Sequence, residues 1–399
     1  MSRRLLACWG SGDYGRLGFH GTSDVPKLVA SSLLESLQSV TCGASHTCAV
    51  TDDGSVITWG LNNSGQLGHS AAAAHSQDLG EVLIPEAVTQ ASAGFYHTLC
   101  VAESGNVWSM GSNARGQLGL GKDLPGTVSP RLIKALLGVK VAQVAAGSNH
   151  SLAVSESGEV FTWGQGSEGQ LGHGQAAFPR NRDEFLPRSV ASISGNRALK
   201  VSSVCAGHSH SGCVGASGEV HLWGSSSYGQ LGCQTPEHIC SHPQEVRAHS
   251  VSQVACGGYH TLALQHGGQV IAWGLHHNGV LGLGRDHPSS TTYTPTPIKK
   301  LQASQIACGW RHSLALTAGG GIVAWGWGGS VGSDSVLSGS HTSCGGQLGL
   351  GNEFDFWDPT PVPVLHGQGA GEQYQAGVGW KALQVACGFN HSAAVVDIL

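Results

Sequence analysis

Charge is what this sequence has least of. Asp, Glu, Lys and Arg make up 11% of its 399 residues, under half the share of about 25% usual in soluble domains. Twenty basic residues face twenty-five acidic ones, for a net charge of −5. That balance excludes a protein that holds nucleic acid by counterion release, and there is no basic tail. No apolar run approaches the roughly 18 residues that a membrane span requires. There is no Gly-x-x-x-x-Gly-Lys-[Ser/Thr] phosphate loop. No Ser/His/Asp or paired-carboxylate pattern stands out, so an enzyme is not expected. Residues 1–10 hold two arginines and a short apolar run, as a targeting peptide would. Cys8-Trp9-Gly10 already belongs to a repeated motif, however, which leaves no room for a cleaved segment.

Glycine is abundant instead, at 61 residues, about twice the usual share of about 7%. Hydrophobic residues still make up 40%, so the glycines read as tight turns between short strands rather than as low-complexity filler. Self-comparison shows their order. A Gly-x-x-His recurs seven times, ending at His46, His97, His150, His210, His260, His312 and His391. Thirteen residues after the first six histidines stand Trp59, Met110, Trp163, Trp223, Trp273 and Trp325, each followed by Gly. Eight residues further on comes Leu-Gly, at Leu67, Leu118, Leu171, Leu231 and Leu281. Each copy reads as an apolar strand, a Gly-containing hairpin such as Asp52-Asp53-Gly54, a return strand, a variable loop and an outer strand. The outer strand is expected to start near a proline (Pro26, Pro85, Pro130, Pro187, Pro243), where no ladder donor is lost.

Four short strands in a period of about 50 residues predict radially repeated sheets. The fold expected over residues 1–399 is therefore an all-β, seven-bladed β-propeller forming a single domain. The seventh copy is split. Residues 385–396 supply its first part, and Cys8-Trp9-Gly10 through Leu17-Gly18 supply the rest, so the N- and C-terminal strands share one blade and close the ring.

The motifs Gly-x-x-His-[Ser/Thr]-Leu-Ala, Gly-x-Val-x-x-Trp-Gly and Gly-Gln-Leu-Gly resemble those of the RCC1-like family, in a style close to its plant UV-B-receptor members. The Trp-Asp dipeptide of WD-repeat propellers occurs once, at Trp357-Asp358, in a loop. The resemblance implies the seven-bladed ring. It does not imply one function, because the family includes a nucleotide exchange factor for a nuclear small GTPase, a photoreceptor, organelle proteins linked to RNA processing and many adaptors.

Several residues invite a site and are read as structure. Trp9, Trp59, Trp163, Trp223, Trp273 and Trp325 are expected to pack between blades. The seven histidines are expected to satisfy backbone groups rather than to bind metal. Nine of twelve cysteines fall at repeat positions otherwise held by small or apolar residues, which makes them buried hydrophobes in a reducing, intracellular setting. Cys233, His238, Cys240 and His242 are too cramped and irregular for a tetrahedral zinc site. Gly10/Gly12/Gly15 and Gly164/Gly166/Gly169 match a dinucleotide fingerprint but lack its βαβ context. No metal and no cofactor are expected.

What varies among copies is where recognition belongs. The two residues between Gly and His read Ala44-Ser45, Phe95-Tyr96, Ser148-Asn149, His208-Ser209, Gly258-Tyr259, Trp310-Arg311 and Phe389-Asn390. Aromatics and arginine dominate interface hot spots. Phe95, Tyr96, Asn149, His208, Tyr259, Trp310, Arg311, Phe389 and Asn390 are therefore the expected partner-binding residues, unless some of the aromatics plug the central channel. The expected function is an intracellular protein–protein interaction module, in the cytoplasm or nucleus, with guanine nucleotide exchange on a small GTPase as the alternative. None of the fourteen tip residues is acidic, which counts against exchange, and one Gly-Trp-Arg-His copy is too few for a UV-B-absorbing tryptophan cluster. An RNA-linked organelle role is disfavoured by the acidic balance. A Gly/Ser-rich insertion at 327–345 and a polar loop at 173–188 are further surface candidates.

Overall fold

Seven sheets, antiparallel apart from one parallel pairing at Val29 and His366, stand around one axis in the computed structural model. It describes all residues except 1–2, 20–22, 32–33, 35, 70–74, 175–181, 196–198, 234–237, 330–344, 368–372 and 377. Each sheet is a blade, numbered here by its histidine from His46 (blade 1) to His391 (blade 7). Blade 2 shows the plan. Val88–Ala93 lines the axis, and His97–Ala102, Val107–Ser112 and Gly126–Leu132 follow outward in chain order. The second strand is buried along its whole length, because blades cover both of its faces, and it accordingly reads as an unbroken run rather than an alternating one. The outermost strand is half-buried to exposed.

The apolar clusters lie between blades, not within them. Trp59 of blade 1 packs with Cys8, Leu17 and Val29 of blade 7, and Trp325 of blade 6 packs with Leu262, Ala272 and Ile298 of blade 5. All six repeat tryptophans are fully buried. Truncating such a side chain to alanine typically costs about 3–5 kcal/mol.

The glycine after each tryptophan is required by geometry. Gly111 sits at φ 110°, and a Cβ there would lie 2.3 Å from the Tyr96 carbonyl oxygen and 2.7 Å from the His97 Cα. Both contacts are backbone and neither can move aside. Gly111→Val is therefore expected to cost about 3 kcal/mol, read as a fall in the midpoint of urea unfolding.

The prolines are placed differently from the expectation. Pro130, Pro187 and Pro243 lie inside their outer strands, within a four-residue stretch that spans only two residues of the neighbouring strand. The ladder is interrupted there, so the missing N–H leaves nothing unpaired. Pro85 is not in a strand at all. The outer strand of blade 1 is His75–Val82, and Pro85 lies in the connection to blade 2.

Blade 7 contains both ends of the chain. Trp380–Cys387 and His391–Ile398 form its inner half, and Arg3–Gly10 and Val25–Ser31 its outer half. Arg3–Gly10 pairs with His391–Ile398 in continuous register from Arg3/Ile398 to Gly10/His391. A short hairpin, Val364–His366 with Gln373–Gln375, extends this sheet beyond Val25–Ser31.

Candidate functional site

The Gly-x-x-His tips all emerge at one end of the ring, where each innermost strand turns into the second. Backbone bonds string them together. The Ala44 N–H donates to the Gly94 carbonyl at 3.1 Å, Ser148 to Gly207 at 3.3 Å, His208 to Gly257 at 3.1 Å and Gly258 to Gly309 at 3.2 Å. The Phe389 N–H returns to the Gly43 carbonyl at 3.2 Å. No side chain fits at the glycine. A Cβ on Gly43 would meet the Gly94 carbonyl oxygen at 2.4 Å and the His46 ring at 2.5 Å.

The histidines do not bond to backbone as expected. Each ring reaches the hydroxyl that follows the next blade's histidine. His46 Nε2 meets Thr98 at 2.8 Å, His150 meets Ser211 at 2.9 Å, His312 meets Ser392 at 2.9 Å, and His391 closes the circle on Thr47 at 3.0 Å. Each hydroxyl in turn donates to a carbonyl of the preceding blade's Gly-Gln-Leu-Gly turn, as Thr98 does to Gln66 at 2.8 Å. A hydroxyl that donates there must accept from the imidazole, which sets the neutral Nε2–H tautomer. The repeat tryptophan donates its indole N–H to the same carbonyl, as Trp163 does to Gln117 at 2.9 Å. Met110 has no such donor, so the Gln66 carbonyl in blade 1 receives the Thr98 hydroxyl without an indole partner. Burial pushes six of the histidines down to about 3 and holds His391 well below its ordinary value too.

A second inter-blade clasp is built from glutamines of the innermost strands. Gln90 donates to the Val144 carbonyl at 3.0 Å and accepts its N–H at 2.9 Å. Gln253 does the same to Ile306, and Gln384 to Val40. Its signal in the sequence is the glutamine four residues before most tip glycines.

On this frame the tips divide into two classes. The first tip residues turn inward and meet over the axis. Trp310 stacks on Phe389 with centroids 4.4 Å apart, His208 meets Trp310 at 4.5 Å, and Phe95 touches Phe389, His208 and Trp310 at 5.5–5.9 Å. Four of the expected binding residues thus form a plug over the channel. Burial pushes the His208 imidazole down to about 4, so it is neutral in the plug, and its Nδ1 lies 2.6 Å from the Ser148 hydroxyl. Beneath the plug a cavity of about 90 Å³ is lined by Ala93, Ala146 and Ala206 on one side and by Cys256, Cys308, Cys387 and Cys42 on the other. Cys308 and Cys387 are only half-buried, as is Cys205. These three depart from the expectation of full burial, although Cys308 and Cys387 still pack against the apolar clusters between blades.

The second tip residues lie around this plug, and all but Asn390 are at least partly exposed. Tyr96 is 40% exposed. Tyr259 is half-buried, touching Trp310 at 5.2 Å and Tyr228 of the neighbouring turn at 5.0 Å. The Arg311 guanidinium lies 5.6 Å from the Trp327 ring. Asn149 is half-buried, and Asn390 is buried at 7% exposure, which removes it from direct contact. The turns after the Trp-Gly motifs share this end of the ring and add Asp13, Tyr14 and Glu168. The count of tip residues alone missed these acidic groups.

Of the 327–345 insertion, residues 330–344 lie outside the described residues. In the 173–188 loop Arg180 also lies outside them, Asp183 pairs with Arg115 at 3.4 Å, and Arg188 pairs with Glu184 at 2.9 Å. Cys233 and Cys240 pack at the edge of the apolar cluster between blades 4 and 5.

From residue 5 to residue 394 the sequence matches the RCC1-like domain. The chain belongs to the RCC1-like family. This RCC1-like chain is 34% identical over 384 residues to the ultraviolet-B receptor UVR8 of Arabidopsis thaliana, covering 94% of the chain and 81% of the receptor. It is 32% identical over 422 residues to the secretion-regulating guanine nucleotide exchange factor of Bos taurus, covering 98% and 83%. Its fold is similar to that of yeast RCC1 (Prp20) as crystallised with Kap60, at a TM-score of 0.83 and 22% identity, covering 100% of this chain and 90% of the other. No helix among the described residues is long and apolar enough to cross a membrane.

Proposed function

We propose that this RCC1-like propeller is a protein-interaction module whose partner docks on the tip face. The carrying observation is the division of the tips. A rigid aromatic plug of Phe95, His208, Trp310 and Phe389 sits at the centre, and Tyr96, Tyr259 and Arg311 surround it. A packed aromatic centre with accessible Tyr and Arg around it is the composition that concentrates binding energy, at about 2 kcal/mol or more per hot-spot residue. The outer residues can be changed without touching the blade cores. Tyr96→Ala with Arg311→Ala is expected to weaken partner binding at least about thirtyfold and to leave the thermal midpoint within about 1 °C. Affinity capture from cells beside a thermal melt checks both. A lowered midpoint in step with lost binding would make these residues structural.

A second reading is nucleotide exchange on a small GTPase. It is supported by the similarity to an exchange factor over 98% of the chain and by Asp13 and Glu168 in the turns beside the tips. Exchange works by protein contacts that loosen the nucleotide, so it needs the same face and no catalytic triad. Release of a fluorescent guanine nucleotide from the captured GTPase, measured with and without this chain, decides it. An unchanged release rate removes the reading. A UV-B role is not supported, because Trp310 packs against Phe389, His208 and Tyr259 rather than against tryptophans from other tips.

A further inference from the structure

The repeat brings two inner-strand positions together wherever consecutive blades meet. One is the last-but-one residue of the innermost strand, and the other is the last residue of the next blade's innermost strand. Ser92 and Ala146 show the geometry, with the Ser92 hydroxyl accepting the Ala146 N–H at 3.0 Å. Thr41 stands likewise against Ala93 at 3.4 Å. The equivalent joints elsewhere pair Ala145 with Ala206, Ala255 with Cys308, Ala307 with Cys387 and Ala386 with Cys42. Each of those holds one thiol at most. The joint between blades 4 and 5 holds two. Cys205 and Cys256 face each other there with their sulfurs 3.2 Å apart. A disulfide has its sulfurs about 2.05 Å apart, so a small side-chain rotation separates this contact from a bond.

We propose that Cys205 and Cys256 are a redox pair, oxidised by a hydroperoxide to a reversible disulfide that clamps blade 4 to blade 5 beneath the aromatic tips. Cys205 is the half-buried member and Cys256 the buried one, so the peroxide reaches Cys205 first. The Cys205 sulfur attacks one peroxide oxygen, the O–O bond breaks, and the departing hydroxide takes the thiol proton as water, leaving a sulfenic acid. The Cys256 sulfur then displaces the hydroxyl from Cys205, which leaves as a second water with the Cys256 proton. Two thiols lose two electrons and two protons, and one peroxide is reduced to two waters. Burial pushes the Cys256 thiol well up, consistent with Cys205 being the nucleophile of the first step. Three residues after Cys205 comes His208, and three after Cys256 comes Tyr259. Both rings rest on Trp310, at 4.5 and 5.2 Å. A bond below them fixes the spacing of two tips in the plug.

The test uses the full chain, reduced, then exposed to graded hydrogen peroxide, denatured in excess alkylating reagent and digested without reductant. A peptide pair joined through Cys205 and Cys256, about 2 Da lighter than its two parts, is expected to accumulate before other cysteines are modified and to separate in dithiothreitol. In Cys205→Ala, Cys256 is expected to stay alkylatable at the same dose. That variant keeps its fold because alanine holds the equivalent position at 145, 255, 307 and 386. Recovery of both thiols alkylated while other cysteines oxidise, or of Cys205 as a sulfinic acid beside an alkylated Cys256, would overturn the proposal.

Discussion

Removal of residues 391–399 abolishes the cooperative thermal transition of this protein. The deleted strand, His391–Ile398, lies between Trp380–Cys387 and Arg3–Gly10, so both neighbours lose their ladder at once. Ala393, Ala394, Val395 and Val396 are all but fully buried. Each valine contributes about 1.5–3 kcal/mol through burial alone. His391 goes too, and with it the bond to Thr47 that joins blade 7 to blade 1. Whole-domain stability is typically about 5–15 kcal/mol, and these losses are of that order. In most domains the last few residues can be trimmed. Here they form the middle of a sheet. Circular dichroism on heating, with size-exclusion chromatography for compactness, reads the outcome. A truncated chain melting within a few degrees of the intact one would mean that six blades hold the ring without the seventh.

Mild acid unfolds the propeller through its histidine ring. The sign follows from the shifts. Six of the ring histidines are held at about 3 in the folded protein against an ordinary value of 6.5, and His391 is held well below that ordinary value. The unfolded chain therefore binds more protons between those values. The ring's contribution to stability is complete above about pH 6.5 and is lost progressively as the pH falls towards 3. Each site contributes a slope of about 1.4 kcal/mol per pH unit, so seven together approach ten. A domain of ordinary stability is expected to unfold steeply between about pH 4 and 6, before most carboxylates are protonated. Equilibrium unfolding followed by tryptophan fluorescence against pH measures the slope. His312→Gln, whose side-chain amide can still donate to the Ser392 hydroxyl, is expected to flatten it by about one seventh. Stability unchanged down to pH 4 would show that the ring accommodates its protons.

The ring was legible because its repeat is a spacing. Gly-x-x-His, the tryptophan thirteen residues later and the Leu-Gly after that mark positions that backbone closeness or inter-blade burial fixes in every blade, and the split seventh copy followed from counting. Directions were not legible. Phe95 and Tyr96 are neighbours of similar chemistry, yet one turns into the plug and the other into solvent. Only the turn geometry of the tip decides which. Nor could the partners of the histidines be read, since each bond crosses to a residue more than 50 positions away. Pro85 misled because the outer strand of blade 1 carries no proline, and a motif defined on the other blades landed on the connector.

The claim that the ring is scaffold and the tip face is the working surface has a direct test. Hydrogen–deuterium exchange of the chain would be followed with and without the partner recovered by affinity capture. Protection is expected at the tips, at residues 43–46, 94–97 and 309–312, and in the neighbouring turns around Tyr14 and Tyr228. Protection confined to the hairpins at the opposite end, at residues 51–55, 102–106 and 155–159, would contradict the account and move the interface to the other face.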